Sequence, residues 1–399
     1  MIGNPALRDR DFQKLCAGSA CNNIGMSGEM VVVGIMAFEA TQSSAWVGIA
    51  LALYHLPMLV FGLLSGIIAD WMDRRTLLRR VELATAFNLV VFAGLMAVIP
   101  SALWLVLLFA FVAGSVRDFA YAARISYAYD LVGGRNIVAG LGLHNIVTRI
   151  GQMVGALAAG VMMQDHGAPA TLIVLAAAHV LAFFLVARLR SARQTEPAEQ
   201  IPVIQSLRES IAEMRTNAVL LTLILVTGVV EVFGFSYSTA LPELASARFE
   251  AGAEGLGEMH GARSVGGIIA GLALATVASQ HRRGRLFLMV ICGFGAGLLG
   301  LSAAGNFMSA LAMIVVIAAM ASAADVLTQS MMQLCVPDRL RGRAMGFWVF
   351  AIGWAPLGHL EMGNLAAWLG VSTALSINGW ALIAVGVLVA LTVPRLRKL

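Results

Sequence analysis

The sequence predicts an all-α integral membrane protein of twelve transmembrane helices, grouped as two six-helix bundles. Three observations carry that expectation. Of the residues 59% are hydrophobic and only 12% charged, about half the charged share of a soluble domain. Apolar stretches of membrane-spanning length recur along the whole chain, separated by Gly, Pro or charge. Basic residues gather in alternate connections only. A single soluble core stops growing before 399 residues, so the apolar excess faces lipid.

The spans read in order as 15–40, 45–69, 76–99, 102–129, 137–164 and 169–190, then 217–242, 258–279, 285–304, 307–335, 343–366 and 369–393. Asp9 and Asp11 interrupt the basic region before the first span, so no cleavable leader is expected there. The second and third spans are divided by a charged loop ending in Asp73, Arg74 and Arg75, and the fourth and fifth by Leu131 to Arg135. After the sixth comes the longest polar interval, with Arg190, Arg193, Glu196, Pro197, Glu199, Pro202, Arg208, Glu209 and Glu213. It sets a domain plan of an N-terminal bundle at 1–190, a cytoplasmic linker at 191–216 and a C-terminal bundle at 217–399. Within the linker Ile204, Leu207, Ile211 and Met214 recur at helical spacing, the mark of a short amphipathic helix on the membrane surface.

Counting basic residues by loop orients the chain. Arg8, Arg10, Lys14, Arg74, Arg75 and Arg135 fall on one side with the linker arginines and the clusters at 282–285, 339–343 and 395–398, whereas the other side holds Arg248 alone. That asymmetry places both termini in the cytoplasm of a bacterial inner membrane. The pI of about 9.3 therefore reports topology, and no nucleic-acid surface is expected because the charge is divided among short loops. Cys16, Cys21, Cys292 and Cys335 show no metal-ligand spacing and read as reduced packing residues. No cofactor and no metal site are expected.

The loop after the second span, Gly66-Ile-Ile-Ala-Asp70-Trp-Met-Asp73-Arg74-Arg75, resembles the signature loop of the major facilitator superfamily. Gln280 to Arg285 occupies the equivalent place in the other half without the acid, and Val336 to Gly346 is similar to a loop of the drug:proton antiporter and enterobactin-exporter-like branch. The resemblance implies the major facilitator fold, two bundles each made of inverted three-helix repeats. It also implies a cytoplasmic gate in which Gly66 and Asp70 meet a helix start and Arg74 pairs with an acid at the end of the fourth span, Asp130 being the candidate. Gly142, Gly151, Gly155 and Gly160 in the fifth span resemble the glycine motif of antiporters, with Ala156 and Ala159 departing from it. Close helix packing explains the same glycines.

Charges inside the spans mark the candidate cavity, since each costs at least ~2.5 kcal/mol on insertion scales unless it finds a partner or water. Glu29, Arg117 with Asp118, Glu231 and Asp325 lie in spans one, four, seven and ten, the first helices of the four repeats. Arg149 adds a charge in span five, and Arg124 lies near the inner end of span four with Asp130 available to it. Two readings stand: proton carriers, Glu231 and Glu29 first, or static buried pairs that fix helix register. Arg117 is a candidate to hold an acid or an anionic substrate group. His55, His179 and His359 read as packed residues, and Phe233, Phe235, Tyr237, Trp348, Phe350 and Trp354 as packing or cavity lining.

The resemblance implies secondary active transport by alternating access, driven by protons and directed outward, of a small amphiphilic drug, toxin or siderophore. The expected partners are that small molecule, protons and membrane lipid, with a monomer as the default. Export of a metal cation or chelate is the alternative within transport, through the acids with Asn22 and Asn23. A non-transporting sensor or scaffold is the alternative of another class, and an enzyme is not expected because no nucleophile and base gather at one place. No phosphate-binding loop of the Gly-rich Lys-Ser/Thr kind occurs, so ATP is not the expected energy source.

Overall fold

The computed structural model describes residues 9–71, 73–99, 102–132, 137–189, 217–277, 283–336, 341–394 and 396. The side chains of 60–72, 74, 118–123, 125–126, 128–141, 275–277 and 341–345 lie outside this description. The described chain is helical, and no strand occurs among the described residues.

The helices are α1 (Arg10–Thr41), α2 (Ser44–Trp71), α3 (Arg74–Val98), α4 (Leu103–Val132) and α5 (Ile137–Ala187). They continue with α6 (Ala218–Phe233), α7 (Gly252–Val277), α8 (Arg283–Ser302), α9 (Phe307–Leu334), α10 (Arg341–Ile352), α11 (Ala355–Leu369) and α12 (Val371–Thr392). Among the described residues seven helices are long and apolar enough to cross a membrane, and two shorter apolar helices accompany them.

Starts are set by side chains that satisfy the first free amides. Asp9 accepts from the amides of Asp11 and Phe12, Asp73 from Thr76, and Asn217 from Leu220, while Asn306 and Ser309 form a reciprocal capping box. Stops are set by backbone geometry. Among the described residues those of positive φ are Gln42, Gly167, Glu250, Gly252 and Gly370; the first four lie in joins the sequence predicts between spans, and Gly370 is the second residue of the predicted span 369–393. Gly167 (φ 74, ψ −179) divides α5 into two arms, and Gly370 (φ 81, ψ 151) joins α11 to α12. Both values lie in a region open essentially to glycine alone. The same one-residue glycine joint therefore occurs twice, at Gly167 and at Gly370.

Burial is inverted relative to a water-soluble protein. Phe87 is 71% and Trp368 78% exposed, whereas Glu82 is 0% and Glu29 and His179 each 2% exposed. Apolar side chains outward and charges inward suit a lipid solvent.

Contacts group the chain into two compact units, Met1–Thr195 with Leu241–Val265, and Glu196–Ala240 with Gly266–Leu399. In the first, α1 packs along α5, α2 along α4, and α3 against α4 and α5. The segment from Leu241 packs there too: Ser44 donates a short hydrogen bond to Glu243. An added Cβ on Gly160 would sit 2.8 Å from the Ala253 carbonyl oxygen and 2.9 Å from the Gly257 Cα, so the two backbones touch. In the second unit α8 packs along α12 and α9, and α6 against α10 and α11.

Candidate functional site: two buried polar clusters

In the first unit Glu82 of α3 is the centre of a network that ties α1, α3, α4 and the second arm of α5. Its Oε1 accepts from Arg124 at 2.5 Å and from Asn22 at 3.1 Å, and its Oε2 lies 2.8 Å from Nδ1 of His179. Arg124 also reaches Ser19 Oγ at 3.4 Å, which His144 Nε2 approaches at 2.9 Å. Glu29 joins from the other side of His179. Its Oε1 is 3.7 Å from His179 Nε2 and its Oε2 accepts from the Tyr54 hydroxyl at 3.2 Å. The Arg117 guanidinium lies over the Tyr54 ring, 4.5 Å from its centroid, a cation–π contact. Arg149 meets Gln152 at 3.4 Å, and Gln152 in turn donates to Asn23 at 3.0 Å.

Glycines make the room. A Cβ on Gly25 would fall 2.0 Å from His179 Nε2, and one on Gly151 or Gly155 would fall 2.5 or 2.1 Å from the carbonyl oxygens of Ala20 or Ile24. Three of the four glycines of the span-five pattern thus serve close approach, whereas an added Cβ on Gly142 would meet none of the described atoms within 4 Å.

In the second unit the buried acid Glu231 stands two residues before the end of α6, where the backbone turns at Gly234 into a 3₁₀ segment, Phe235–Thr239. A second interruption, at Gly353 and Trp354 between α10 and α11, packs against it. A Cβ on Gly228 would meet the Trp354 ring at 2.6 Å, and one on Gly358 would meet the carbonyl oxygens of Val232 at 2.6 Å and Glu231 at 2.9 Å. Asp325 of α9 acts on Glu231 electrostatically, one acid upon another. Beside them Asn378 donates to Glu361 at 3.2 Å and contacts Ser236 at 3.4 Å, and Thr239 meets His359 at 2.9 Å. Interrupted helices near mid-span are where membrane carriers place their binding groups.

Among the residues singled out from sequence, Glu29 and Arg117 come together through Tyr54, and Asp325 acts electrostatically on Glu231 in the second unit. Asp118 and the gate residues Gly66, Asp70, Arg74 and Asp130 lie outside the described side chains. Arg124 has a described partner that the sequence did not suggest, Glu82, 42 positions earlier in the chain, while Asp130 lies outside the described side chains. Glu82 was not singled out from the sequence, although its place one turn beyond Arg79 inside span three was the available signal. His179, read as a packed ring, is the bridge between two acids.

Residues 4–398 match the family model described as transmembrane secretion effector. The chain belongs to that family, within the major facilitator superfamily. This transmembrane secretion effector family member is 24% identical over 359 residues to the staphyloferrin A transporter of Staphylococcus aureus, covering 88% of this chain and 89% of the relative. It is also 24% identical over 386 residues to the uncharacterized MFS-type transporter YfiS of Bacillus subtilis, covering 90% and 87%. Among solved structures, a mutant of the nucleoside transporter NupG superposes with a TM-score of 0.80 at 12% identity, over 95% of this chain and 98% of that one. A bacterial homolog of the human lysosomal transporter Spinster, in an inward-facing and unoccupied conformation, superposes at 0.70 and 13% identity, over 99% and 97%. At such identities the likeness is one of fold. The family is one of multi-pass membrane transporters, which accords with the inverted burial.

Proposed function

We propose that this protein is a secondary active transporter that works by alternating access and couples efflux of a small amphiphilic compound to protons. Its two six-helix bundles, 1–190 and 217–399, joined by the 191–216 linker, make twelve crossings of the inner membrane with both termini in the cytoplasm. The monomer is the working unit. The observation that carries the reading is Glu231, a buried acid at an interrupted helix whose electrostatic neighbour is another acid, Asp325. Two carboxylates in one low-dielectric site repel, and a proton or cationic group on either relieves them. A proton and a substrate that both ease the same repulsion compete for it, and competition for one site is the logic of antiport. The resemblance of the glycines in α5 to those of antiporters supports the outward direction. Siderophores stand among the substrate classes because a relative carries staphyloferrin A, and this reading takes in the metal-chelate alternative as well.

The test is substrate-induced proton movement in proteoliposomes, screening lipophilic cations, neutral drugs and iron chelates against wild type and Glu231→Gln. The expected outcome is a compound that drives proton flux in wild type and none in the variant, with both proteins folded. Compounds carried by wild type with no proton flux would overturn proton coupling and favour a uniporter or another coupling ion.

A further inference from the structure

Counting donors and acceptors around His179 leaves one place for a proton. Nδ1 lies 2.8 Å from Oε2 of Glu82, and Oε1 of that carboxylate is held by Arg124 at 2.5 Å. A carboxylate so close to a guanidinium accepts and does not donate, so the hydrogen of the His179 to Glu82 bond belongs to Nδ1. A neutral imidazole with its hydrogen there presents a lone pair at Nε2. That atom faces Oε1 of Glu29 at 3.7 Å. Both atoms are buried, and neither has a hydrogen-bond partner among the described residues. An ionised Glu29 also only accepts. Acceptor against acceptor accounts for a separation too long for a hydrogen bond.

We infer that Glu29 and His179 form a proton-binding site, in which one proton between Oε1 and Nε2 turns this contact into a hydrogen bond. The inference rests on the proton-coupled reading above and adds to it His179, a residue of the second arm of α5. With the proton carried on Oε1 of Glu29 as a carboxylic acid that donates to the Nε2 lone pair, the gap closes by roughly 0.9 Å, to the ~2.8 Å of a neutral hydrogen bond. Closure draws α1 towards that arm, while Glu82 keeps His179 tied to α3 and α4. Gly25 and Glu29 are four apart on one face of α1, and the missing side chain at Gly25 is what admits the ring, since a Cβ there would lie 2.0 Å from Nε2.

Each neighbouring helix contributes to the electrostatics of the site. From α2 Tyr54 donates to Glu29 Oε2, and from α4 Arg117 covers the Tyr54 ring while Arg124 holds Glu82. From α1 Cys21 lies within electrostatic range of Glu82, and Asn22 donates to it. In the first arm of α5 His144 reaches the Ser19 hydroxyl shared with Arg124. One turn from Glu82 and His179, Arg79 of α3 lies over the Phe183 ring at 5.5 Å.

The experiment is infrared difference spectroscopy between alkaline and acid pH on the full-length protein in lipid nanodiscs, without substrate. Wild type is expected to gain carboxylic-acid C=O bands on acidification, one of them from Glu29 beside those of Glu231 and other acids. In the Glu231→Gln background that Glu29 band is expected to vanish on adding Glu29→Gln and to change frequency on adding His179→Gln, which removes Nε2 but keeps a donor for Glu82. A band pattern left unchanged by Glu29→Gln, or by His179→Gln, places the proton elsewhere and overturns the inference. Should Glu29→Gln fail to fold, ¹⁵N spectra of histidine-labelled wild type decide instead. The His179 resonance, assigned by its loss in His179→Gln, must move over the same pH range as the band, and an invariant resonance overturns the site. Because no substrate is present, failure here and failure of proton-coupled transport are separate results: a transporter that moves no protons still shows the band, and coupled transport without the band removes only this site.

Discussion

In the first unit Glu82 is held by Arg124, Asn22 and His179, whereas in the second the group that acts on Glu231 is another acid, Asp325. The first arrangement satisfies a charge with side chains from several helices, and it braces them. The second sets one acid against another. One buried acid therefore braces, and the other is the one proposed above to couple transport, although both cost the same kind of desolvation.

The comparison breaks most visibly at Glu82. Glu82→Ala strands Arg124 in the interior without its counter-charge, and removal of one partner of a buried pair costs about 3–5 kcal/mol. Its melting temperature in detergent should fall sharply or the protein should fail to accumulate; a melting temperature equal to wild type would refute the brace. Next come the close approaches. Gly155→Leu drives a side chain into the Ile24 carbonyl, where even a Cβ would lie 2.1 Å away, and overpacking of that kind costs about 1–3 kcal/mol or more. Gly358→Leu does the same in the second unit against Val232. Similar losses of stability in the two variants would show that both units rely on backbone contact. The joints follow, since Gly167→Ala and Gly370→Ala each place a side chain in glycine-only backbone space for about 1–3 kcal/mol. Matched losses sharpen the repeat, and a cost at one joint alone breaks it. The smallest effect on stability is expected at Glu231→Gln, within about 1 kcal/mol, the size of one net hydrogen bond, because the amide removes a repulsion and no described partner is stranded. A large fall in melting temperature there would assign Glu231 the same bracing role as Glu82.

Much of this was legible in the sequence, and the limits have physical causes. Long apolar stretches at membrane length announce helices directly, so α1, α3, α8, α9 and α12 lie close to the spans read for them. Hydropathy is blind to backbone geometry. The stretch 217–242 reads as one span, yet the helix gives way at Gly234 to a 3₁₀ turn, and 343–366 likewise conceals the break at Gly353 and Trp354. Glu29, Arg117, Glu231 and Asp325 were visible because a charge in an apolar run is conspicuous. Glu82 passes unnoticed in its company: with Arg79 and Arg80 close before it, nothing in the sequence sets it apart from flanking charges. Arg124 pointed to a nearby acid along the chain, whereas its described partner is 42 residues distant and adjacent only after α3 and α4 have paired. His179 carried no pattern at all, since a lone histidine acquires meaning only from the two carboxylates around it.

The one-residue joints at Gly167 and Gly370 bear on how such a chain is studied and made. Where two apolar segments meet through a single glycine, the connection offers a protease, an antibody or a reporter tag very little: three exposed polar residues, Gln164, Asp165 and His166, before Gly167, and the apolar Trp368 and Leu369 before Gly370. Insertions there should disrupt membrane integration instead of mapping topology, and each pair of segments is suited to enter the bilayer together as one hairpin.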